Sequence, residues 1–249
     1  MSDIYVEVHP DTETLVTKAA ERFVHTVVAA QKERGSASVV LTGGGTGIGL
    51  LEKVRENPGA IDWRAIDIFW GDERFLPAGD PERNDVQARA ALLDHVDVDP
   101  ARVHTMPVAD GIYENDPEAA AVAYAQVLGA HADGKQVPVF DVHLLGMGGE
   151  GHVNSLFPDT DAVREEHRFV VAVTDSPKPP PVRITLTLPA VRHADEVWLV
   201  VSGEAKAEAV AAAVAGAPPV EIPASGARGL STTRWLLDTS AASRLPNSN

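Results

Sequence analysis

Val39-Val40-Leu41-Thr42-Gly43-Gly44-Gly45-Thr46-Gly47-Ile48-Gly49 passes from an apolar run into a glycine-rich turn and on to a helix start. An unbroken apolar run suits a strand buried on both faces, as in the parallel sheets of α/β proteins. Glycines in the turn that follows let backbone N–H groups meet an anion at the positive end of the helix. No Gly-Lys-Ser/Thr follows, so this is not a P-loop, and the glycines miss the Gly-x-Gly-x-x-Gly spacing of a dinucleotide site. Gly43, Gly44 and Gly45 are therefore candidate phosphate ligands; the alternative is a tight βα turn that binds nothing.

Working outward, strand-like runs recur at Ile4–Val8, Ile66–Trp70, Val139–Leu145, Phe169–Val173, Val197–Val201 and Trp235–Leu237. Helical patterns stand between them at Thr12–Arg34, with Leu15, Ala19, Phe23 and Val27 four residues apart, and at Asn84–Leu93, Pro117–Ala130 and Glu204–Ala215. This alternation predicts an α/β fold: a doubly wound, mostly parallel, Rossmann-like sheet with helices on both faces. In such sheets ligands bind beyond the carboxyl ends of the strands, where the βα loops gather. No linker or internal repeat divides the 249 residues, so residues 1–249 are expected to form a single main domain with room for a small subdomain.

The chain is 44% hydrophobic, 23% charged and free of cysteine, which excludes disulfides and thiolate metal sites. It opens Met-Ser-Asp with neither a basic nor an apolar leader, and no run approaches the roughly 18 apolar residues of a membrane span, so a cytoplasmic location is expected. A net charge of −15 disfavours nucleic acid and anionic membranes as partners. A small anionic substrate remains open to it if a few local cations and N–H groups offset the acidic background. A monomer is expected, with a weak dimer as the alternative.

The loop most suited to chemistry is Leu144-Leu145-Gly146-Met147-Gly148-Gly149-Glu150-Gly151-His152-Val153-Asn154-Ser155-Leu156-Phe157-Pro158. Four glycines frame one carboxylate and one imidazole, the side chain that titrates nearest neutrality. Glu150 could orient His152 as a general base, and Asn154 in the same loop is a candidate substrate ligand; a solvated surface pair is the alternative. Gly146-x-Gly148-x-x-Gly151 fits the dinucleotide spacing, but Pro158 and Asp159-Thr160-Asp161 leave no room for the long helix that such a site opens. His143, inside the preceding strand, reads as a hydrogen-bonded core residue.

Gly71-Asp72-Glu73-Arg74 puts three charges at a strand end, where Asp72 and Arg74 can position a polar substrate or form a structural ion pair. Ser176-Pro177-Lys178-Pro179-Pro180-Pro181-Val182-Arg183 is a stiff approach to a strand that would hold Arg183 at small entropic cost, unless it is a solvated edge loop. In Ser202-Gly203-Glu204-Ala205-Lys206 a lysine in a first helical turn opposes the helix dipole, a conflict that an anion would relieve. The remaining histidines lack metal-ligand spacing on one helix face, so no metal is expected, and no Gly-x-Ser-x-Gly elbow signals a serine nucleophile.

Taken together, Leu41-Thr42-Gly43-Gly44, Trp70-Gly71-Asp72-Glu73-Arg74, Leu145-Gly146-Met147-Gly148 with Gly151-His152 and Ser155-Leu156-Phe157-Pro158, Pro181-x-Arg183-Ile184-Thr185-Leu186-Thr187 and Gly203-x-x-Lys206 occur in one order over nearly the whole chain. In this the sequence resembles the lactonase branch of the family that unites 6-phosphogluconolactonases with glucosamine-6-phosphate deaminases. The resemblance implies cofactor-free hydrolysis of 6-phospho-D-glucono-1,5-lactone in the oxidative pentose phosphate pathway. It implies phosphate binding at Gly43, Gly44, Arg74 and Lys206, a general base at His152, and its acidic partner at Glu150, where the family more often has Asp. A deaminase would share the phosphate loop, Asp72, Glu73 and His152, but deaminases of the family usually place Tyr where Arg74 stands. A non-catalytic sugar-phosphate sensor would be expected to carry a DNA-binding segment ahead of the first strand, where three residues stand here.

Overall fold

In a computed structural model that describes residues 2–246, strand β1 (Asp3–His9) leads into helix α1 (Thr12–Arg34). The Asp11 side chain starts α1 by accepting from Thr14 N at 2.7 Å, and Gly35 ends it in the left-handed conformation. Leu15, Ala19, Phe23 and Val27 form its buried stripe, as their spacing predicts. The chain continues through β2 (Ala37–Leu41), α2 (Gly44–Glu56), β3 (Ile66–Trp70), β4 (Asp72–Arg74), α3 (Asn84–Ala91), α4 (Pro117–Ala130) and β5 (Phe140–Leu145). Then follow α5 (Asp161–Arg164), β6 (Val170–Val173), β7 (Arg183–Leu186), α6 (Leu188–Val191), β8 (Ala194–Val201), α7 (Ala207–Val214) and β9 (Thr232–Asp238). Among the described residues no helix is long and apolar enough to cross a membrane.

Six strands form one parallel sheet in the order β1-β9-β8-β5-β2-β3. From β1 to β3 the chain steps toward the β3 edge; from β5 onward it steps back toward β1. Right-handed crossovers therefore place α1 and α2 on one face and α4 and α7 on the other, while the short α3 packs back against α2. The reversal falls between β2 and β5, and there the loops after two adjacent strands diverge to opposite faces and open a crevice. Thr42 Oγ1 and Gly146 N bridge the two loops at its floor, 3.3 Å apart.

The remaining strands make an antiparallel sheet, β4-β7-β6. Here the structure departs from the sequence reading. Phe169–Val173 belongs to this second sheet rather than to the parallel one, and the charged residues of β4, expected in a loop, are paired with β7 in the register Asp72↔Thr185 and Arg74↔Arg183. Gly71 joins the sheets: its N–H donates to Leu41 O and its carbonyl accepts from Leu186 N. Both share one core, in which Val39, Leu144 and Trp198 from the large sheet cluster with Val170 and Ile184 from the small one.

Candidate active site

The crevice widens into a cavity of about 540 Å³ beyond the carboxyl ends of β2, β5 and β8, walled on one side by the small sheet. Gly43, Gly44, Gly45, Asp72, Arg74, His152, Asn154, Arg183 and Lys206 all line it. Glu150 stands just behind, in contact with His152.

One end is built by α2. Its N-cap, Gly43, has no side chain to cap the first turn, and Gly44 sits at φ +79°, a conformation that favours glycine. The first N–H groups of a 13-residue helix are thus left facing the cavity end with the helix dipole behind them. Lys206, in the short helical turn that precedes α7, faces the same cavity, and its ammonium pKa is lowered by burial and by the nearby Lys178 cation, against the pull of Asp238. Burial, with Arg74 as a like charge, also lowers that of Arg183, which Asp72 opposes. Cations that crowd one another in this way favour an anion among them.

β4 distributes its charges by strand alternation. Asp72 and Arg74 face the cavity; Glu73 turns beneath α3, fully buried, and accepts from Asn84 N at 2.7 Å and Asp85 N at 2.9 Å, serving as the cap that α3 lacks locally. Burial pushes the Glu73 carboxyl up to about 7, while Arg83 and these N–H groups hold it down. Asp72 accepts from Ser155 Oγ at 2.6 Å and lies 4.0 Å from the Arg183 guanidinium. Arg74 donates to Asn84 Oδ1 at 3.1 Å and to the Glu82 carbonyl at 2.5 Å. Arg183 is 5% exposed, held by the carbonyls of Lys178, Pro179 and Pro180, so the proline-rich segment fixes it and it is not a solvated edge residue.

In the same cavity, Glu150 Oε1 lies 2.9 Å from His152 Nδ1 and Lys178 Nζ lies 2.9 Å from Glu150 Oε2. A carboxylate only accepts, so Nδ1 carries the hydrogen and Nε2 keeps a lone pair. Lys178 Nζ is also 3.5 Å from Nδ1, too long to compete with that bond. Burial opposes ionisation of Glu150, but its backbone N–H, Lys178 and His152 prevail and hold it down to about 2. Burial lowers the His152 pKa and Lys178 lowers it further, against the raising effect of Glu150. The imidazole is thus a neutral base around pH 7. The dyad lies across Gly148, where an added Cβ would come within 2.1 Å of His152 Nδ1. After Gly151 the loop makes turns, and the only helix before β6 is the four-residue α5, so no dinucleotide helix opens here.

Nothing in the sequence singles out Lys178 except its place among the prolines that carry Arg183. Ser155, which holds Asp72, stands in the Ser155-Leu156-Phe157-Pro158 motif with no role read for it, and Asn84, which holds Arg74, carries no signal. His143 is buried as expected but not hydrogen-bonded: both ring nitrogens lack a partner among the described residues, and burial alone takes its pKa down to about 3. Asn154, at φ +50°, keeps both side-chain polar atoms unpartnered while 7% exposed at the cavity wall.

The sequence pattern of the family described as glucosamine-6-phosphate isomerases/6-phosphogluconolactonase matches residues 10–235. The chain belongs to this family. Within the glucosamine-6-phosphate isomerase/6-phosphogluconolactonase family it is 57% identical over 242 residues to a 6-phosphogluconolactonase of Mycobacterium leprae, covering 97% of this chain and 98% of that one. It is 56% identical over 246 residues to one of Streptomyces coelicolor, covering 97% and 94%. Among solved structures of the family, a 6-phosphogluconolactonase from Trypanosoma cruzi superposes with a TM-score of 0.85 at 28% identity, over 99% of both chains.

Proposed function

We propose that the protein hydrolyses 6-phospho-D-glucono-1,5-lactone to 6-phospho-D-gluconate, the lactone-opening step of the oxidative pentose phosphate pathway. The observation that carries the reading is the neutral His152, oriented by Glu150 at 2.9 Å, in a cavity that also presents a free helix N-terminus and the cations Arg74, Arg183 and Lys206. Full-length relatives named 6-phosphogluconolactonase support it.

The substrate phosphate binds at Gly43, Gly44 and Gly45 with Lys206, and Arg183 and Asn154 hold the sugar. His152 Nε2 takes a proton from water as the water oxygen attacks the lactone carbonyl carbon. The carbonyl oxygen becomes an oxyanion, stabilised by Arg74 or loop N–H groups. When the intermediate collapses, the bond from that carbon to the ring oxygen breaks, and the imidazolium returns its proton to the departing oxygen. Asp72 accepts from a substrate hydroxyl while anchoring Arg183. Lys178 is a positioning residue: bonded to Glu150 Oε2, it leaves Oε1 for the imidazole. The protein works as a cytoplasmic monomer without cofactor or metal in the reaction.

The test is a paired assay: 6-phosphogluconate formation from fresh lactone, corrected for spontaneous opening, beside ammonia release from glucosamine 6-phosphate. Hydrolysis above background with no ammonia is expected. Ammonia without excess hydrolysis moves the protein to the deaminase branch.

A further inference from the structure

At the opposite, amino-terminal end of β3, three potential ligand side chains converge from separate elements: Asp67 of β3, His104 from the segment paired beside it, and His131 just past α4. One ligand atom from each lies within 4.8 Å of the others. We propose that this trio is a zinc site that fastens α4 and the 100–104 segment to the edge of the sheet.

The orientation of each group supports the assignment. His131 Nδ1 lies 2.8 Å from the Val127 carbonyl, which only accepts, so Nδ1 carries the hydrogen and Nε2 presents its lone pair. A ligating histidine is commonly oriented in this way, by a carbonyl on its other nitrogen. His104 Nε2 and Asp67 Oδ1 are 3.0 Å apart, close to the roughly 3.4 Å between two ligands that are each about 2.0–2.1 Å from one tetrahedral zinc. The ion would replace the shared hydrogen, with the His104 proton moved to Nδ1. Arg102 Nη1 holds Asp67 Oδ2 at 2.7 Å, fixing the carboxylate and leaving Oδ1 for the metal. Phe69 stacks on the His104 ring with centroids 4.5 Å apart, and the His104 and His131 rings are 4.1 Å apart.

Two imidazoles and one carboxylate favour zinc over magnesium or calcium, which take mostly oxygen ligands. The guanidinium of Arg102 weighs against any cation, so the two neutral imidazoles must supply most of the affinity. A fourth, water ligand would face a separate cavity of about 780 Å³ lined by Asp67 and His131, which shares no lining residue with the catalytic one. The role that follows is structural.

The experiment is zinc titration by calorimetry and native mass spectrometry of the full chain, paired with thermal melts with and without equimolar zinc. It uses wild type, His131→Gln, His104→Gln and, to remove the imidazole of the catalytic cavity, His152→Ala. One zinc bound by wild type and by His152→Ala, with a raised melting temperature in both, is expected. His131→Gln, which changes an exposed side chain and leaves the core intact, should weaken binding at least tenfold and abolish the thermal shift. Wild-type affinity in His131→Gln, loss of zinc only in His152→Ala, or no zinc on wild type would each overturn the assignment.

Discussion

At the level of single residues, the charges around His152 set the pH range in which it can accept a proton. Burial and Lys178 lower its pKa below the ordinary 6.5, so the acid limb of kcat/KM should lie below pH 6.5. Glu150 raises the pKa and Lys178 lowers it, which gives two variants with opposite signs. Glu150→Gln should move the limb to lower pH and reduce kcat; Lys178→Met should move it to higher pH. Full pH profiles decide: shifts in the same direction, or none, would mean that the titrating group is not His152. The dyad was legible in the sequence because its members are two positions apart. Lys178 was not, since it reaches Glu150 across 28 residues of chain that must first fold back. The split of Asp72 and Arg74 from Glu73 depends on a three-residue strand that exists only through its pairing with β7.

Elements and loops add constraints that side-chain lists miss. The loop after β5 must pass beneath the dyad at Gly148 without a Cβ, so Gly148→Ala should separate Glu150 from His152 and lower kcat while shifting the melting temperature little. A large loss of stability with full specific activity would contradict that role. α4 is tied to β3 by the buried Tyr124 hydroxyl, which accepts from Trp70 N at 3.1 Å and donates to the His104 carbonyl at 3.1 Å. Tyr124→Phe leaves both groups short of a partner and should cost about 1–3 kcal/mol in urea unfolding. Long apolar strands and α1 were readable because burial on both faces, or a four-residue stripe, writes itself into composition. β4 and β7 were harder to read as a sheet: they are short, charged or proline-flanked, and stabilised by partners more than 100 residues away.

For the whole molecule, the parallel sheet and its crevice followed from the alternation of strand and helix runs, whereas the antiparallel sheet that walls the site did not. The alternation says where crossovers occur, and nothing in it marks strands that leave the main sheet. Acid sensitivity is also a global property. Glu150 and Glu165 are both held down to about 2, Glu165 by its hydrogen bonds from Arg168 and neighbouring N–H groups. Because their folded pKa values are depressed, their contribution is fully present above the unfolded value of 4.5 and is lost as pH falls from there toward 2. Glu73, pushed up to about 7, has the opposite sign: its contribution grows as pH falls from 7 through the unfolded value of 4.5 and levels off below it, so it does not cause the decline. Urea midpoints should therefore decline below pH 4.5, and Glu165→Gln should flatten the decline; an unaltered slope would exclude Glu165 from it.

The central claim is that His152 activates water for lactone opening in this cavity. Its most direct test is the enzymatic rate above spontaneous opening of fresh 6-phosphogluconolactone for wild type and His152→Ala, with matching circular dichroism to show that both are folded. The account predicts fast wild-type turnover and a loss of roughly 100-fold to 10,000-fold in the variant, the range associated with a missing general base. A folded His152→Ala protein within about threefold of wild type would contradict it, since that lies far below the contribution of any general base.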